Sequence, residues 1–256
     1  VTSLRARALD GLPDLRAGDD LAALIADAAH EEPLRDGQLL VIAHKAVSKC
    51  EGAVVALADV QPGTQALDLA AQAAAAGQAR DPRAIQVVLD QSSEILRAER
   101  GVLICRTHHG FVCANAGVDA SNAPGTETLI VLPRDPDESA RQLRARLRKL
   151  TGASVGVLIT DSFGRAWRNG QVDVAIGLAG MQPLEDWRGR SDSRGMELRA
   201  TWLALADAAA AIGELVRAKD SREPVAIIEG LERLLAAEDG PGARPLLRAL
   251  EEDMFR

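Results

Sequence analysis

Apolar positions in this chain fall into two patterns. Short unbroken runs, "LLVIA" (39–43), "GVLIC" (101–105), "LIVLP" (129–133), "VGVLIT" (155–160) and "PVAII" (224–228), read as buried strands, being too short for core helices. Longer stretches read as helices. "ALDLAAQAAAAGQA" (66–79) is alanine-rich and strongly helix-forming. In "DPDESARQLRARLRKL" (135–150), Asp135 can cap, Pro136 suits the first helical position, and Leu143, Leu147 and Leu150 share a face. Its five basic residues from Arg141 to Lys149 read as a solvated face. "TWLALADAAAAIGELVRAK" (201–219) predicts another long helix, and "PVAIIEGLERLLAAE" (224–238) a strand that turns into a helix. Strands and helices mix without strict βαβ alternation, which favours an α+β fold over a Rossmann sheet. No repeat of fixed period and no long linker divides the chain, so 1–256 reads as one domain.

Composition narrows the function classes. With 256 residues, 47% of them apolar and 26% charged, the chain can bury a substantial core and has an ordinary globular make-up. No apolar run approaches the roughly 20 residues needed to cross a bilayer, and the opening "VTSLRARALDGLPDL" lacks a signal-peptide core. A net charge of −7 argues against nucleic-acid binding through general positive charge, and 2% aromatics leave little for base stacking. Three cysteines, Cys50, Cys105 and Cys113, are odd in number and sit in apolar or loop contexts, which points to the cytoplasm rather than a disulfide framework.

The common nucleotide and hydrolase signatures are missing: no Walker loop, no dinucleotide fingerprint, no G-x-S-x-G elbow and no H-E-x-x-H. Four polar segments remain. "AHKAVSKCEG" (43–52) follows a strand, so His44, Lys45, Ser48 and Lys49 arrive at a strand end, where ligand-facing residues gather, and a lysine there supplies a point charge for phosphate. An ordinary surface helix start is the alternative. In "RTHHGFVCANAGVDASNAPG" (106–125), Cys105, His108, His109 and Cys113 have a spacing that matches no common structural zinc pattern. Asp119, between Asn115 and Asn122 and among glycines, instead suits a hard metal and phosphate, with a plain turn as the alternative.

The third segment, "LITDSFGRAWRNGQVDVAIG" (158–177), presents Asp161 and Ser162 just after the strand 155–160, with Arg165 and Arg168 following in one loop around Trp167. A carboxylate for a metal and guanidinium forks for anions suit phosphoryl chemistry, although salt-bridged loop arginines would look the same. The fourth, "DWRGRSDSRGMELRAT" (186–201), adds Asp192 and Glu197, which solvated surface charge explains almost as well.

Taken in order, "GLPDL" (11–15), "VIAHKAVSKCEG" (41–52), "QSSEILR" (91–97), "HHGFVCANAGVDASNAPG" (108–125), "ITDSFGRAWRNGQVDVAIGLAG" (159–180) and "PVAIIEG" (224–230) resemble the coenzyme F420-0:γ-glutamyl ligase family over almost the whole chain. The resemblance implies an unusual α+β fold of mixed sheets, neither Rossmann nor P-loop, in a single domain with room for two intertwined subdomains and no fused nitroreductase-like domain. It implies a homodimer that uses GTP to attach L-glutamate to F420-0 through amide bonds, with one or two Mn²⁺ or Mg²⁺ ions and with K⁺ as a further candidate cation. Carried over by position, Asp119 and Asp161 resemble metal ligands and Ser162 a second-metal ligand. Leu12, Pro13, Asp14 and Leu15, together with His44, Lys49 and Asn122, match nucleotide-contacting positions. "RAKDSREP" (217–224) matches a further nucleotide and metal segment, in which Ala218-Lys219 replaces the Gly-Lys or Gly-Gln of relatives. On this reading Asp119, Asp161 and Lys49 carry catalysis, while Arg165 and Arg168 hold phosphate or substrate carboxylates. Two other readings stay open on the residues alone: a metal- and GTP-dependent phosphotransferase, and a non-catalytic nucleotide-binding protein.

Overall fold

The computed structural model describes residues 3–121, 123–218 and 220–253. Its central sheet has five strands in the order β1 (Arg5–Ala8), β12 (Val225–Glu229), β2 (Leu39–Ala43), β8 (Gly156–Arg165) and β9 (Arg168–Ala179). Only β2 and β8 run parallel; the other neighbours are antiparallel, so the mixed α+β expectation holds. The apolar runs of β2 and β12 are buried on both faces, since alternate side chains join different cores. Leu40, Ile42, Val225 and Ile227 face α1 (Leu21–Ala28), α2 (His44–Cys50) and α5 (Pro136–Thr151), whereas Leu39, Val41, Ala226 and Ile228 face α6 (Leu205–Val216). Gly213 lets α6 approach closely: a Cβ there would stand 2.6 Å from Val41 Cγ1.

Between α2 and α5 the chain builds a second packing unit with its own small cores. Here β3 (Val54–Ala56) pairs with β7 (Thr128–Ile130), while β4 (Ser92–Glu99), β5 (Val102–Thr107) and β6 (Val112–Ala114) form an antiparallel sheet. Helices α3 (Thr64–Ala75) and α4 (Pro82–Asp90) pack on it through Ala66, Ile85 and Val88. A third pair, β10 (Leu184–Asp186) with β11 (Trp202–Ala204), lies on the surface.

Several sequence expectations shift. Residues 202–204 leave the predicted helix because Trp202 and its neighbours pair with β10, so α6 begins at Leu205. Where residues 230–238 are expected to turn into a helix, a single 3₁₀ turn (Glu232–Leu234) forms, and Leu234 and Leu235 cover the α6-side core instead. β7 stops at Ile130. In α5, Asp135 caps and Pro136 opens the helix as expected, but Leu150 is exposed and Arg144 is not solvated. Arg144 is buried, donating to the Val155, Ala236 and Ala237 carbonyls and pairing with Asp239 at 2.6 Å.

The largest shift sits at the site. β8 does not end at Thr160; it runs to Arg165 as one arm of a long hairpin, because β9 supplies backbone partners along its whole polar half. Between the pairs Ile159↔Gly177 and Thr160↔Ala175 the register slips by one, leaving Ile176 as the extra residue of a bulge.

Candidate active site

The first turn of α2 joins two distant parts of the chain. Lys45 Nζ donates to Asp119 Oδ2 at 2.6 Å and to Ser121 Oγ at 2.5 Å. Its neighbour His44 places Nε2 3.3 Å from Asp161 Oδ1. One carboxylate therefore comes from the inserted unit and the other from the central sheet, and both stand beside adjacent residues of α2. Asp119 is fixed locally as well: its backbone bridges Ile130, and Ser121 donates to it through both N–H and hydroxyl. Burial pushes the Asp119 carboxyl up, but the bonds from Lys45 and Ser121 and the Lys45 charge outweigh it and hold the group below the ordinary carboxylate range. Cys113 on β6 lies close to Asp161, and burial followed by that charge pushes its thiol up to about 12.

Asp161 and Ser162 are neighbours on a strand, so their side chains leave opposite faces. Asp161 follows Ile159 toward α2, whereas Ser162 follows Thr160 toward α6. There Ser162 Oγ donates to Asp173 Oδ1 at 2.6 Å and Thr160 Oγ1 to Asp173 Oδ2 at 2.8 Å. Arg217 completes this cluster with a 2.6 Å ion pair from Nη2 to Asp173 Oδ2, both side chains being 6% exposed. Burial lowers the Arg217 pKa, with Asp173 and Glu214 opposing. The structure thus sets Asp119 against Lys45 and Asp161 against His44, neighbours at the start of α2, while the Ser162 hydroxyl joins the Asp173–Arg217 network and its N–H donates to Asp161 Oδ1 at 2.8 Å. Asp173 escaped sequence reasoning, its only sign being a lone carboxylate in an otherwise apolar strand half, and Arg217 enters that reasoning only as the first residue of the 217–224 nucleotide and metal segment.

Lys49 lies one turn below Lys45. Burial lowers its ammonium pKa, Asp14 opposes this, and Lys45 adds to it. The Leu12–Leu15 segment lies beside α2, because Leu12 and Leu15 pack on the same core as Ala46 and Val47, while Pro13 and Asp14 are exposed. Asn122 and Lys219 lie outside the described residues. Arg165 and Arg168 pair across the exposed end of the β8–β9 hairpin, where Arg165 Nη2 donates to the Asn169 carbonyl at 3.0 Å, and neither is brought to Asp119 or Asp161 by a contact in the structure. Asn115 supports the fold: its side-chain oxygen accepts from Arg80 at 2.9 Å. His108 and His109 bond to the backbone carbonyls of Asp90 and Pro133, and all three cysteines are free, so the zinc spacing has a structural outcome.

Oxygen donors from Asp119 and Asp161 match the needs of a hard divalent cation such as Mn²⁺ or Mg²⁺. Among the described residues no three His, Cys, Asp or Glu side chains cluster, so such an ion would draw several of its ligands from phosphate and water. His44 Nε2, buried and without a hydrogen-bond partner, faces the same place.

Relatives with known names put the chain in a class of ligases. The curated coenzyme F420:L-glutamate ligase of Methanopyrus kandleri is 46% identical over 94% of this chain and 93% of its own length. Those of Methanothermobacter thermautotrophicus and Methanocaldococcus jannaschii are 42% and 40% identical, again over nearly full length. The model of the F420-0:Gamma-glutamyl ligase family matches residues 11–230, and the chain belongs to that family.

Proposed function

We propose that this protein is a GTP-dependent coenzyme F420:L-glutamate ligase, which joins the amine of L-glutamate to a carboxylate of F420-0. The observation that carries this reading is the identity of 40–46% to such ligases over nearly the full chain. A carboxylate is a poor acyl donor because its leaving group would be oxide. Transfer of the γ-phosphoryl group of GTP to it, with GDP leaving, gives an acyl phosphate. The glutamate amine then attacks the carbonyl carbon, inorganic phosphate leaves with the C–O bond, and the amine loses a proton.

In this reading Asp119 and Asp161 hold a divalent cation, Mn²⁺ or Mg²⁺, which when bound supplies positive charge to the phosphate oxygens. Lys45 keeps Asp119 ionised and oriented, and Lys49, beside the Leu12–Leu15 segment, contributes a charge for the polyphosphate. Arg217 and Asp173 set the position of the strand segment that carries Asp161. Ser162 supports Asp161 directly through its backbone N–H, and its hydroxyl, which gives its proton to Asp173, has a lone pair to offer a second ion.

The enzyme works in the cytoplasm as a homodimer. Free cysteines support the first statement, and the exposed apolar side chains of Trp202, Leu203 and Leu215 the second. Among the described residues no helix is long and apolar enough to cross a membrane. Incubation with F420-0, L-glutamate, GTP and Mn²⁺ tests the reading: mass analysis should show products heavier by one or more glutamyl units, together with GDP and phosphate. Phosphorylated F420-0 as the sole end product, or GTP left intact, would overturn it.

A further inference from the structure

His44 is 2% exposed, and its two ring nitrogens have different surroundings. Nδ1 sits 3.3 Å from Ser48 Oγ, one helical turn along α2, in a side chain that is fully buried. Nε2 is 3.3 Å from Asp161 Oδ1, yet it makes no hydrogen bond there. That distance is within reach, so direction is what fails: the ring nitrogen is aimed beside the carboxylate oxygen, not at it. A buried nitrogen left in this way destabilises the fold unless something meets it.

One arrangement satisfies both atoms. Nδ1–H donates to Ser48 Oγ, which leaves the Nε2 lone pair free, and Nε2 and Asp161 Oδ1 become neighbouring ligands of one cation. Adjacent ligands of an octahedral ion stand about 3 Å apart when each is about 2.1 Å from it, so the observed spacing needs little adjustment. Metal-bound imidazoles characteristically donate their other N–H to a nearby oxygen, the role Ser48 fills here. We propose that His44 Nε2 is a nitrogen ligand of the divalent cation held by Asp161, with Ser48 fixing its tautomer. The proposal rests on the reading that Asp161 binds such a cation, and it deepens that reading by assigning a mixed nitrogen and oxygen donor set.

A nitrogen ligand has a consequence for selectivity. Imidazole binds later first-row ions better than Mg²⁺, so the site should prefer Mn²⁺ and still more Co²⁺ over Mg²⁺.

Pulsed EPR on the Mn²⁺-loaded protein, produced with ¹⁴N- or ¹⁵N-labelled histidine, tests the assignment without reference to turnover. The expected result is a histidine hyperfine coupling that changes isotope with the label. It should survive replacement of His30, His108 and His109 by Gln and disappear in H44N. Calorimetric titration should show Mn²⁺ binding weakened about tenfold or more in H44N, and about tenfold in S48A. Mn²⁺ bound by the wild type but not by D161N, with no histidine coupling, would overturn the nitrogen ligand and leave the oxygen site standing. Mn²⁺ binding unchanged in D161N would overturn the underlying reading as well. Should H44N fail to fold, the isotope-labelled triple variant decides the matter without it.

Discussion

Arg217 and Asp173 form a buried ion pair, 2.6 Å between Nη2 and Oδ2, that ties the chain leaving α6 to the hairpin carrying the site. Arg217 also donates to the Pro224 and Gly213 carbonyls, so one guanidinium gathers α6, the segment after it and β9.

Removing one member of a buried pair leaves the other charge uncompensated. Arg217→Met should destabilise the protein by about 3–5 kcal/mol. The double variant Arg217→Met/Asp173→Asn should lose less than the sum of the single changes, as measured by urea unfolding. Additive losses would mean the two residues act independently.

The two carboxylates around α2 lead to a second expectation. Asp119→Asn and Asp161→Asn should each lower glutamylation about 100-fold or more, by analogy with the loss of a charge-stabilising group. Circular dichroism should stay native, because Asn keeps the size of each side chain. Glutamylated product formed at the wild-type rate by either variant would remove that residue from the mechanism.

Acid sensitivity follows from Lys45. The Asp119 carboxyl is held below its ordinary range in the folded state, so it adds stability above the unfolded carboxylate pKa and loses it as pH falls through the folded value. Lys45→Met removes the bond and the charge that lower it. The variant should be less stable than wild type at pH 7, and the gap should narrow below about pH 4. Unfolding curves across that range check the sign.

Glu51 behaves in the opposite sense. Burial raises its carboxyl, while the hydroxyl of Ser139, 2.5 Å away, lowers it in part. A raised carboxyl favours the folded state at low pH, and that benefit fades as pH rises through the folded value. Glu51→Gln should therefore be more stable than wild type at pH 7, with the advantage shrinking toward pH 4. A constant difference across the range would show that ionisation is not the cause.

Light scattering should give twice the 27.1 kDa chain mass. Trp202→Ser combined with Leu203→Ser should move the population toward monomer if β11 lies in the contact. A monomeric wild type at micromolar concentration would remove the homodimer.

Strand cores were the most legible part of this sequence. "LLVIA" forms β2 without any shift in its bounds, since a fully buried strand needs only an apolar run of the right length. Amphiphilic elements were harder: β4, "SSEILRAE", is mostly exposed and carries no clean alternation, so nothing local announced it. The polar half of β8 was hidden for a related reason. Hydrophobic pattern marks burial, whereas a hairpin partner alone is enough to keep Asp161 and Ser162 in a strand. The loop around Asp119 was visible through its small and polar residues. Its partner Lys45 was noticed only as a charge after a strand, because contacts across 74 positions leave no local trace.

The bulge at Ile176 acts as a parity bit for the hairpin. Along β9, Gly177 and Ile176 both face the α5 side opposite Ile159, after which alternation resumes with Ala175 and Asp173 toward α6. Were the same residues to alternate regularly past Gly177, with no bulge to absorb Ile176, every side chain from Ile176 outward would exchange faces. Asp173 would then leave Arg217 and stand on the Asp161 side, adding a second negative charge to that face. One bulge thus keeps the structural carboxylate Asp173 and the site carboxylate Asp161 on separate faces of one sheet.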